Sequence, residues 1–502
     1  MKPGYALAGV LACVGFFHVA TIREGHTWGD DFSAYIHHAK NLVEGRPYAQ
    51  IGYIPNPANL IAPRSYPPVF PCLLAPVYAW FGLNLTAMKI ELILCFLLSL
   101  LMIFFVLREL TDPSSAVAVT ALVGFNPYFW EFKDEILSDI PFLFLTYTTI
   151  FLILRADRPS TPSRRRLLDG LLAGVTALLA CETRTVGVVL VAAVVVTDLI
   201  RFRRPTMRTW LVVLPVIVFK ALTLSAAHGE SGYFTQLRTS FNPHLAWINA
   251  DFYSREIRDL WRNGYTRGPM RAIFLAMNGL AGLGYGRRLL RPSQHHPRWE
   301  GSVAARWGRD RKTSLCEIFL LLYGVMTFLW PLYQGIRLFI PLIPLYIFYA
   351  AVGLEWVADR CRRPSARPAQ AVMLALISTS YLARYTTLDY GPIREGVGRP
   401  ETVELLDYLK RESPPEAVVI FAKPRLLALW TDRKASVYHE APDEELLGYF
   451  DRIGAEYAIT AKGFTEDQAR FRPFLERQAG RFEIAFANAE FTAYRRRQEP
   501  AR

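Results

Sequence analysis

Over residues 1–384, apolar runs long enough to cross a bilayer alternate with short arginine-rich segments, and this alternation leaves few folds open. A membrane-crossing helix needs about 20 mostly apolar residues. Runs of that kind are read near 4–21, 86–107, 114–130, 139–154, 167–181, 185–200, 209–226, 269–286, 313–332, 336–355 and 369–384. Arginines fall between them in groups: Arg155, Arg158 and Arg164 to Arg166; Arg201, Arg203, Arg204 and Arg208; Arg287 to Lys312; and Arg360, Arg362, Arg363 and Arg367. Short loops rich in Lys and Arg stay cytoplasmic. With the N-terminus inside, all four groups lie on that side. The loops 22–85 and 227–268 then lie outside, as does everything after 384. The expected class is a polytopic α-helical protein of the inner (cytoplasmic) membrane, with about eleven spans over residues 1–384 and an extracytoplasmic domain over 385–502.

The net charge of +13 would suit a nucleic-acid binder, but its confinement to loops between apolar runs excludes that class. Cys13, Cys72, Cys95, Cys181, Cys316 and Cys361 lie mostly within or beside apolar runs and form no C-x-x-C pair. They read as small buried hydrophobes, not as a zinc, redox or disulfide framework. Residues 1–21 have the length of a signal peptide. No small-x-small cleavage site follows, and the charge pattern needs the span, so it is read as retained. The run "YPPVFPCLLAPVYAWFG" (66–82) carries Pro67, Pro68, Pro71 and Pro76, which disfavour a regular helix. It is placed at the outer surface or only partly inserted. "CETR" separates two short runs and reads as a buried polar apex.

The region 385–502 reads as α/β, of a size that can hold its own core. "EAVVIFAKP" is a buried strand followed by the helix "RLLALW", and "EELLGYFDRIG" is an amphipathic helix. "AEYAITAK" is a second strand, "EDQARFRPFLERQ" a further helix, and "RFEIAFANAEFTAYRRR" a closing hairpin.

Four features can carry chemistry. In "TWGDDFSAYIHHAKNLVEGRPY" (27–48), Phe32, Tyr35, Ile36, Ala39, Leu42 and Val43 recur at helical spacing, and Gly45 and Pro47 supply the stop. Such a helix can lie in the membrane interface, with Asp30 and Asp31 at its start. One aspartate suffices as a cap; the second has no structural need, and spacing leaves cap and function equally open. "FWEFKDEILSDIP" places Asp134, Glu135 and Asp139 on the same outer side, where a solvated loop with Asp139 as a cap is the plain alternative. "CETRTVG" sets Glu182 and Arg184 between apolar runs, where an arginine is costly unless paired or binding an anion; an internal Glu182–Arg184 interaction would satisfy it. "WPLYQGIRLFIPLIP" puts Arg337 at the outer end of a span, within snorkelling reach of the interface. Carboxylates activate nucleophiles or hold divalent cations, and arginines fork onto phosphate. A substrate that is both lipid and phosphate would need all of these at one depth.

The order of "GDDFSAYIHHAKNLVEGRPY", "YPPVFPCLLAP", "ILSDIPFLFL", "ETRTVGVVL" and "RLFIPLIPLY" resembles the bacterial GT-C glycosyltransferases, polytopic enzymes related to protein O-mannosyltransferases and lipid A aminoarabinose transferases. The resemblance covers 1–384, and the later region looks like their extracytoplasmic domains, "FAKPRLLALWTDRKASVY" most of all. It implies a polyprenyl-phosphate sugar as donor and an acidic base in the first outer loop. That acid stands four before a tyrosine, with an alanine four beyond, and Asp31, Tyr35 and Ala39 match. The family's second acidic motif falls on Asp139. Phe32 follows Asp31 where the aminoarabinose transferases have Glu, so their acceptor does not carry over.

The expected reaction is inverting transfer. Asp31 deprotonates the acceptor, Asp30 stands beside it, and Arg184 and Arg337 hold the donor phosphate. Burial and Asp30 would raise Asp31 from the ordinary aspartate value of about 3.9. Tyr35, Tyr66, Lys423 and Arg425 are candidate donor or acceptor contacts. Mg²⁺ or Mn²⁺ is the cation that carboxylates at Asp31 and Asp139 would hold; no other cofactor is expected. Partners are the lipid-linked sugar, membrane lipids and an acceptor that is lipid, glycan or protein. A transporter or flippase of lipid-linked sugar would use the same arginines without a base, and an anchor for a partner-binding domain would need neither.

Overall fold

The computed structural model describes residues 3–61, 63, 65–226, 244–260, 269–290, 315–330, 334–361 and 367–497. Most of the expected outer loop 227–268 and of the group Arg287 to Lys312, and all of Arg362 and Arg363, lie outside the described residues. In chain order the helices are α1 (Pro3–Ala20), α2 (Asp30–Glu44), α3 (Val69–Phe81), α4 (Leu85–Leu110), α5 (Pro113–Gly124), α6 (Pro127–Phe132), α7 (Asp139–Ala156), α8 (Ser163–Cys181), α9 (Val188–Phe202), α10 (Met207–Ala226), α11 (Leu245–Asp259), α12 (Pro269–Leu290), α13 (Leu315–Leu329), α14 (Ile343–Arg360) and α15 (Arg367–Tyr385). Then come α16 (Pro400–Glu412), β1 (Val418–Ile420), α17 (Pro424–Thr431), β2 (Lys434–Ser436), α18 (Asp443–Ile453), β3 (Ala455–Ala461), α19 (Arg472–Arg477), β4 (Phe482–Ala487) and β5 (Phe491–Arg496).

The chain divides into two compact units. The first holds Met1–Thr21, Leu92–Lys133 and Ser138–Asp389; the second holds Ile22–Glu91, Asp134–Leu137 and Tyr390–Arg502. The segment 22–91 therefore groups with the C-terminal region, whereas the sequence drew a single boundary at 384.

In the helical unit, α1, α4, α7 and the stretch Thr185–Phe202 are long and apolar enough to cross a membrane, and α5 and α13 are shorter apolar helices. The expected run 114–130 is broken. Asn126 accepts the Tyr128 N–H at 3.0 Å and Pro127 follows it, so a new helix starts there. The run expected from 336 becomes helical only at Ile343, after a 3₁₀ turn over Gly335–Phe339. Helices α12 and α14 meet at Gly284 and Gly353. A Cβ on Gly284 would fall inside the Tyr349 carbonyl, and one on Gly353 inside the Leu280 carbonyl, the small-residue contact by which membrane helices bring backbones together.

Charges in this unit gather at the two ends of α7. At its C-terminal end Arg155 pairs with Asp169, Arg158 with Glu109, and Asp157 with both Arg201 and Arg208. Asp139 opens the helix at the other end, roughly 24 Å away at 1.5 Å per residue. The segments joined at the first end are those whose arginine content marked them as cytoplasmic.

In the second unit a five-stranded sheet has the order β2-β1-β3-β5-β4. β2, β1 and β3 are parallel, and β5 and β4 antiparallel. On one face Leu405, Leu409, Leu427 and Ala428 pack on Val419, Phe421 and Ile459. On the other Leu446, Leu447 and Phe450 pack on Val418, Ile420 and Ala458. The expected strands, helices and hairpin are present. Sequence reading missed β2 and α16; three residues, "KAS", are too few to show a period. Residues 52–54 run along the outer edge of β2: Ala435 donates to the Gly52 carbonyl at 2.9 Å and Ile54 donates to the Ala435 carbonyl at 2.8 Å. Backbone pairing thus fastens the first loop to the sheet, which is why the two segregate together.

The prolines of 66–82 do not prevent a helix. α3 forms with Pro76 inside it, but 13 residues span only about 20 Å, short of the roughly 30 Å apolar core. In α2, Phe32, Tyr35, Ile36 and Ala39 are buried as expected, whereas Leu42 and Val43 are exposed. Its other face is buried as well: His37, His38, Lys40 and Asn41 are covered. Gly45 ends the helix in the left-handed region, at φ 68°.

Candidate functional site

Neither aspartate of the opening pair caps its own helix. Gly29 is the N-cap residue of α2, and no side chain completes that cap. Asp30 instead reaches α17, where its Oδ1 accepts the Leu426 N–H at 3.1 Å and its Oδ2 accepts from Arg425 Nε at 2.6 Å. A carboxylate on the first turn of a helix satisfies an orphan N–H and meets the positive end of the helix dipole. Asp30 is thus a cap in trans.

Asp31 shares the same guanidinium. Arg425 Nη2 donates to its Oδ1 at 3.1 Å, Tyr66 OH donates to that oxygen at 2.7 Å, and Arg425 Nη1 donates to the Tyr66 oxygen at 2.8 Å. One buried arginine bridges two carboxylates that would otherwise repel. Burial opposes the charge on Arg425, but Tyr66, Asp30 and Asp31 outweigh it and hold the guanidinium charged well above its usual range. The Asp30 side chain is 9% exposed and that of Asp31 31%. The pair therefore divides into an anchored member and a solvent-reachable one.

Neighbouring side chains hold this arrangement. The Tyr35 ring lies 4.5 Å from that of Tyr66. His38 donates through Nδ1 to the Tyr48 carbonyl at 2.8 Å and accepts the Tyr66 N–H at Nε2, so it is neutral, and burial pushes its pKa down to about 4. Lys40 pairs with Asp432 at the far end of α17 at 2.5 Å. The sequence had not marked His38 or Lys40. One signal was available: "AKPR" starts a helix at Pro424 with Lys423, a poor cap, before it, so its cap has to come from elsewhere.

In the helical unit Asp139 is the meeting point of two of the expected residues. Arg184 donates to its Oδ1, and Arg337 donates to its Oδ2 through Nη2 at 3.1 Å. Arg184 is not paired with Glu182, as the sequence suggested; Glu182 pairs with Lys220 at 2.5 Å. Two guanidiniums thus converge on one carboxylate at the N-terminal end of α7. Asp134 and Glu135 do not join Asp139. Asp134 accepts from Arg23 Nε at 2.8 Å and lies 3.6 Å from the Lys89 ammonium, and Glu135 accepts from Thr27, all within the second unit.

A divalent cation fits neither place. Asp31 and Asp139 are each held by buried or half-buried guanidiniums that would repel it. Among the described residues no group of three or more His, Cys, Asp or Glu stands where it would hold a metal.

Comparison with known proteins bears on what such an arrangement belongs to. Residues 65–227 match the family model of dolichyl-phosphate-mannose-protein mannosyltransferases. No curated protein sequence matches the chain. Among solved structures, ArnT from Cupriavidus metallidurans bound to undecaprenyl phosphate is similar over 98% of this chain and 98% of its own, with a TM-score of 0.60 at 14% identity. The Archaeoglobus fulgidus oligosaccharyltransferase with zinc and sulfate is similar over 97% of this chain and 73% of its own, at TM-score 0.60 and 13% identity. The same organism's AglB with an inhibitory peptide and a dolichol-phosphate is similar at 0.58 and 13%, over 94% and 71%. In fold the chain is similar to ArnT and to the oligosaccharyltransferase AglB, and residues 65–227 resemble the mannosyltransferase family.

Proposed function

We propose that this protein is a membrane glycosyltransferase that moves a sugar from a polyprenyl-phosphate donor to an acceptor on the outer face of the cytoplasmic membrane, inverting the anomeric carbon. The observation that carries the reading is the split of the Asp30–Asp31 pair. An arginine and a tyrosine fix one oxygen of Asp31, as a positioned base requires. A transporter has no use for such a base. The polyprenyl-phosphate donor is supported by the fold shared with ArnT and AglB, whose structures hold undecaprenyl phosphate and dolichol-phosphate.

The acceptor hydroxyl or amine gives its proton to Asp31 as its oxygen or nitrogen attacks the anomeric carbon. The bond from that carbon to the phosphate oxygen breaks on the opposite face, and the polyprenyl phosphate leaves with the electron pair. Arg184 and Arg337 supply the charge that stabilises it, the larger part of the rate in reactions of this kind. The outer location is supported by the make-up of the second unit, whose segments are those that charge placement puts outside. Purified protein given an undecaprenyl-phosphate-linked radiolabelled sugar and extracted cell-envelope acceptors should transfer label. Donor translocation in vesicles without transfer would overturn the reading in favour of a flippase.

A further inference from the structure

The sheet of the second unit has a crevice that the reaction above does not use. From β1 the chain passes through α17 to β2 on one side, then crosses by α18 to β3 on the other. Ligands of open parallel sheets bind at such a reversal, outside the carboxyl ends of the strands. A cleft of about 970 Å³ opens there, near the upper end of small-molecule sites (roughly 300–1,000 Å³). Lys423 follows β1, Tyr438 follows β2, Phe464 and Asp467 follow β3, and Trp28 and Asn59 come from the first outer segment.

Three observations define what fits. The two arginines on its rim are matched, Arg477 with Asp443 at 2.7 Å and Arg470 with Glu440, which leaves Lys423 as the one further Lys or Arg of the lining. The helix N-terminus beside β1, where such folds seat a phosphate, is filled by Asp30 through the Leu426 N–H. An anionic ligand thus finds its place taken. What remains is a wall of rings, Trp28, Phe464 and Tyr438, set with isolated polar groups. Asp467 is fully buried, bonded to Tyr438 OH at 2.5 Å and to the Ala461 N–H at 2.8 Å, and burial pushes its carboxyl up to about 6. The Lys423 ammonium lies 5.8 Å from the centre of the Phe464 ring. Rings beside charges that are mostly paired within the protein suit a hydroxyl-rich, uncharged ligand.

We propose that this crevice binds a neutral oligosaccharide, and that in the transfer reaction it holds sugar residues of the acceptor remote from the reacting group. The assignment as acceptor rests on the glycosyltransferase reading; the binding does not.

The test uses the full chain in detergent, applied to an array of neutral and anionic oligosaccharides and unstructured peptides, with undecaprenyl phosphate affinity measured on the same samples. Neutral oligosaccharides should bind. Thr465→Trp, which fills the crevice from its exposed edge, should weaken them at least tenfold, and Lys423→Ala should weaken them severalfold. Undecaprenyl phosphate should be held equally by the parent protein and Thr465→Trp. A preference for anionic glycans or peptides, no sugar binding, or sugar binding unchanged in both variants overturns the proposal. If undecaprenyl phosphate still binds while sugars do not, only this inference falls; if neither binds, the donor reading falls with it.

Discussion

The Oδ1 atom of Asp30 accepts a hydrogen bond from the backbone N–H of Leu426 at 3.1 Å, across 396 residues of sequence. With Arg425 Nε on its other oxygen, Asp30 ties α2 to the helix after β1. Asp31, next in sequence, lies 3.1 Å from the same guanidinium and is the more exposed. Adjacent identical side chains thus have different duties.

Substitution should separate those duties. Asp30→Ala removes a cap, worth about 1 kcal/mol, and one partner of a buried pair, typically about 3–5 kcal/mol. Its thermal midpoint should fall clearly, with turnover lost only as fold is lost. Asp31→Asn should unfold near the parental temperature yet lose roughly two to four orders of magnitude in single-turnover transfer. Near-normal turnover in Asp31→Asn would leave the base elsewhere.

The arginines on Asp139 make a second expectation. Arg184→Gln or Arg337→Gln replaces a charged donor by a neutral one at a cost of roughly 1.5–3 kcal/mol. Undecaprenyl phosphate affinity should drop about 10- to 150-fold, read by quenching of intrinsic tryptophan fluorescence. Affinity unchanged in both variants would take the phosphate away from this end of α7.

Acid should loosen the second unit. Burial pushes His26 and His37 down to about 3 and His38 to about 4, while in the unfolded chain each binds a proton below about 6.5. The unfolded state therefore takes up more protons than the folded one as pH drops from 6.5 toward 4. Stability is complete above 6.5 and falls through that window, by up to roughly 4 kcal/mol per pH unit for three groups. Asp467, raised by burial to about 6, works the other way below 6 and removes about a third of that slope. Thermal midpoints measured from pH 8 to 4.5 should decline steeply below 6.5, and His38→Gln should flatten the decline. A flat profile would mean that these histidines titrate normally.

Two cysteine placements test the orientation. Arg204→Cys, in an arginine group that charge placement reads as cytoplasmic, should resist an impermeant thiol reagent in intact cells, and Glu416→Cys, exposed in the second unit, should react, both in a background without native cysteines. The reverse labelling would turn the protein over in the membrane and move the proposed chemistry to the other side.

Close helix contact in the first unit gives the last expectation. Gly353→Val puts a branched side chain where the Leu280 carbonyl stands. Helices α12 and α14 would have to separate, and the protein should lose detergent stability more than Gly286→Val, whose site is open.

Local pattern by itself determined the α-helical membrane class, the positions of most helices and the alternation of strand and helix after 416. Burial of apolar stretches and placement of charge at membrane faces act residue by residue and leave a periodic trace. It also singled out Asp31, Asp139, Arg184, Arg337 and Arg425. What it could not assign was their partners. That Asp30 caps a helix at the other end of the chain, that Arg184 takes Asp139 in place of Glu182, and that residues 52–54 extend the edge of β2 are decisions of tertiary structure. Each is a hydrogen bond or ion pair between segments hundreds or tens of residues apart, and such a bond imposes no period on either segment. A carboxylate two residues from its arginine in sequence can face away from it, while one 395 residues off closes the bond, because partner choice depends on which groups folding buries together.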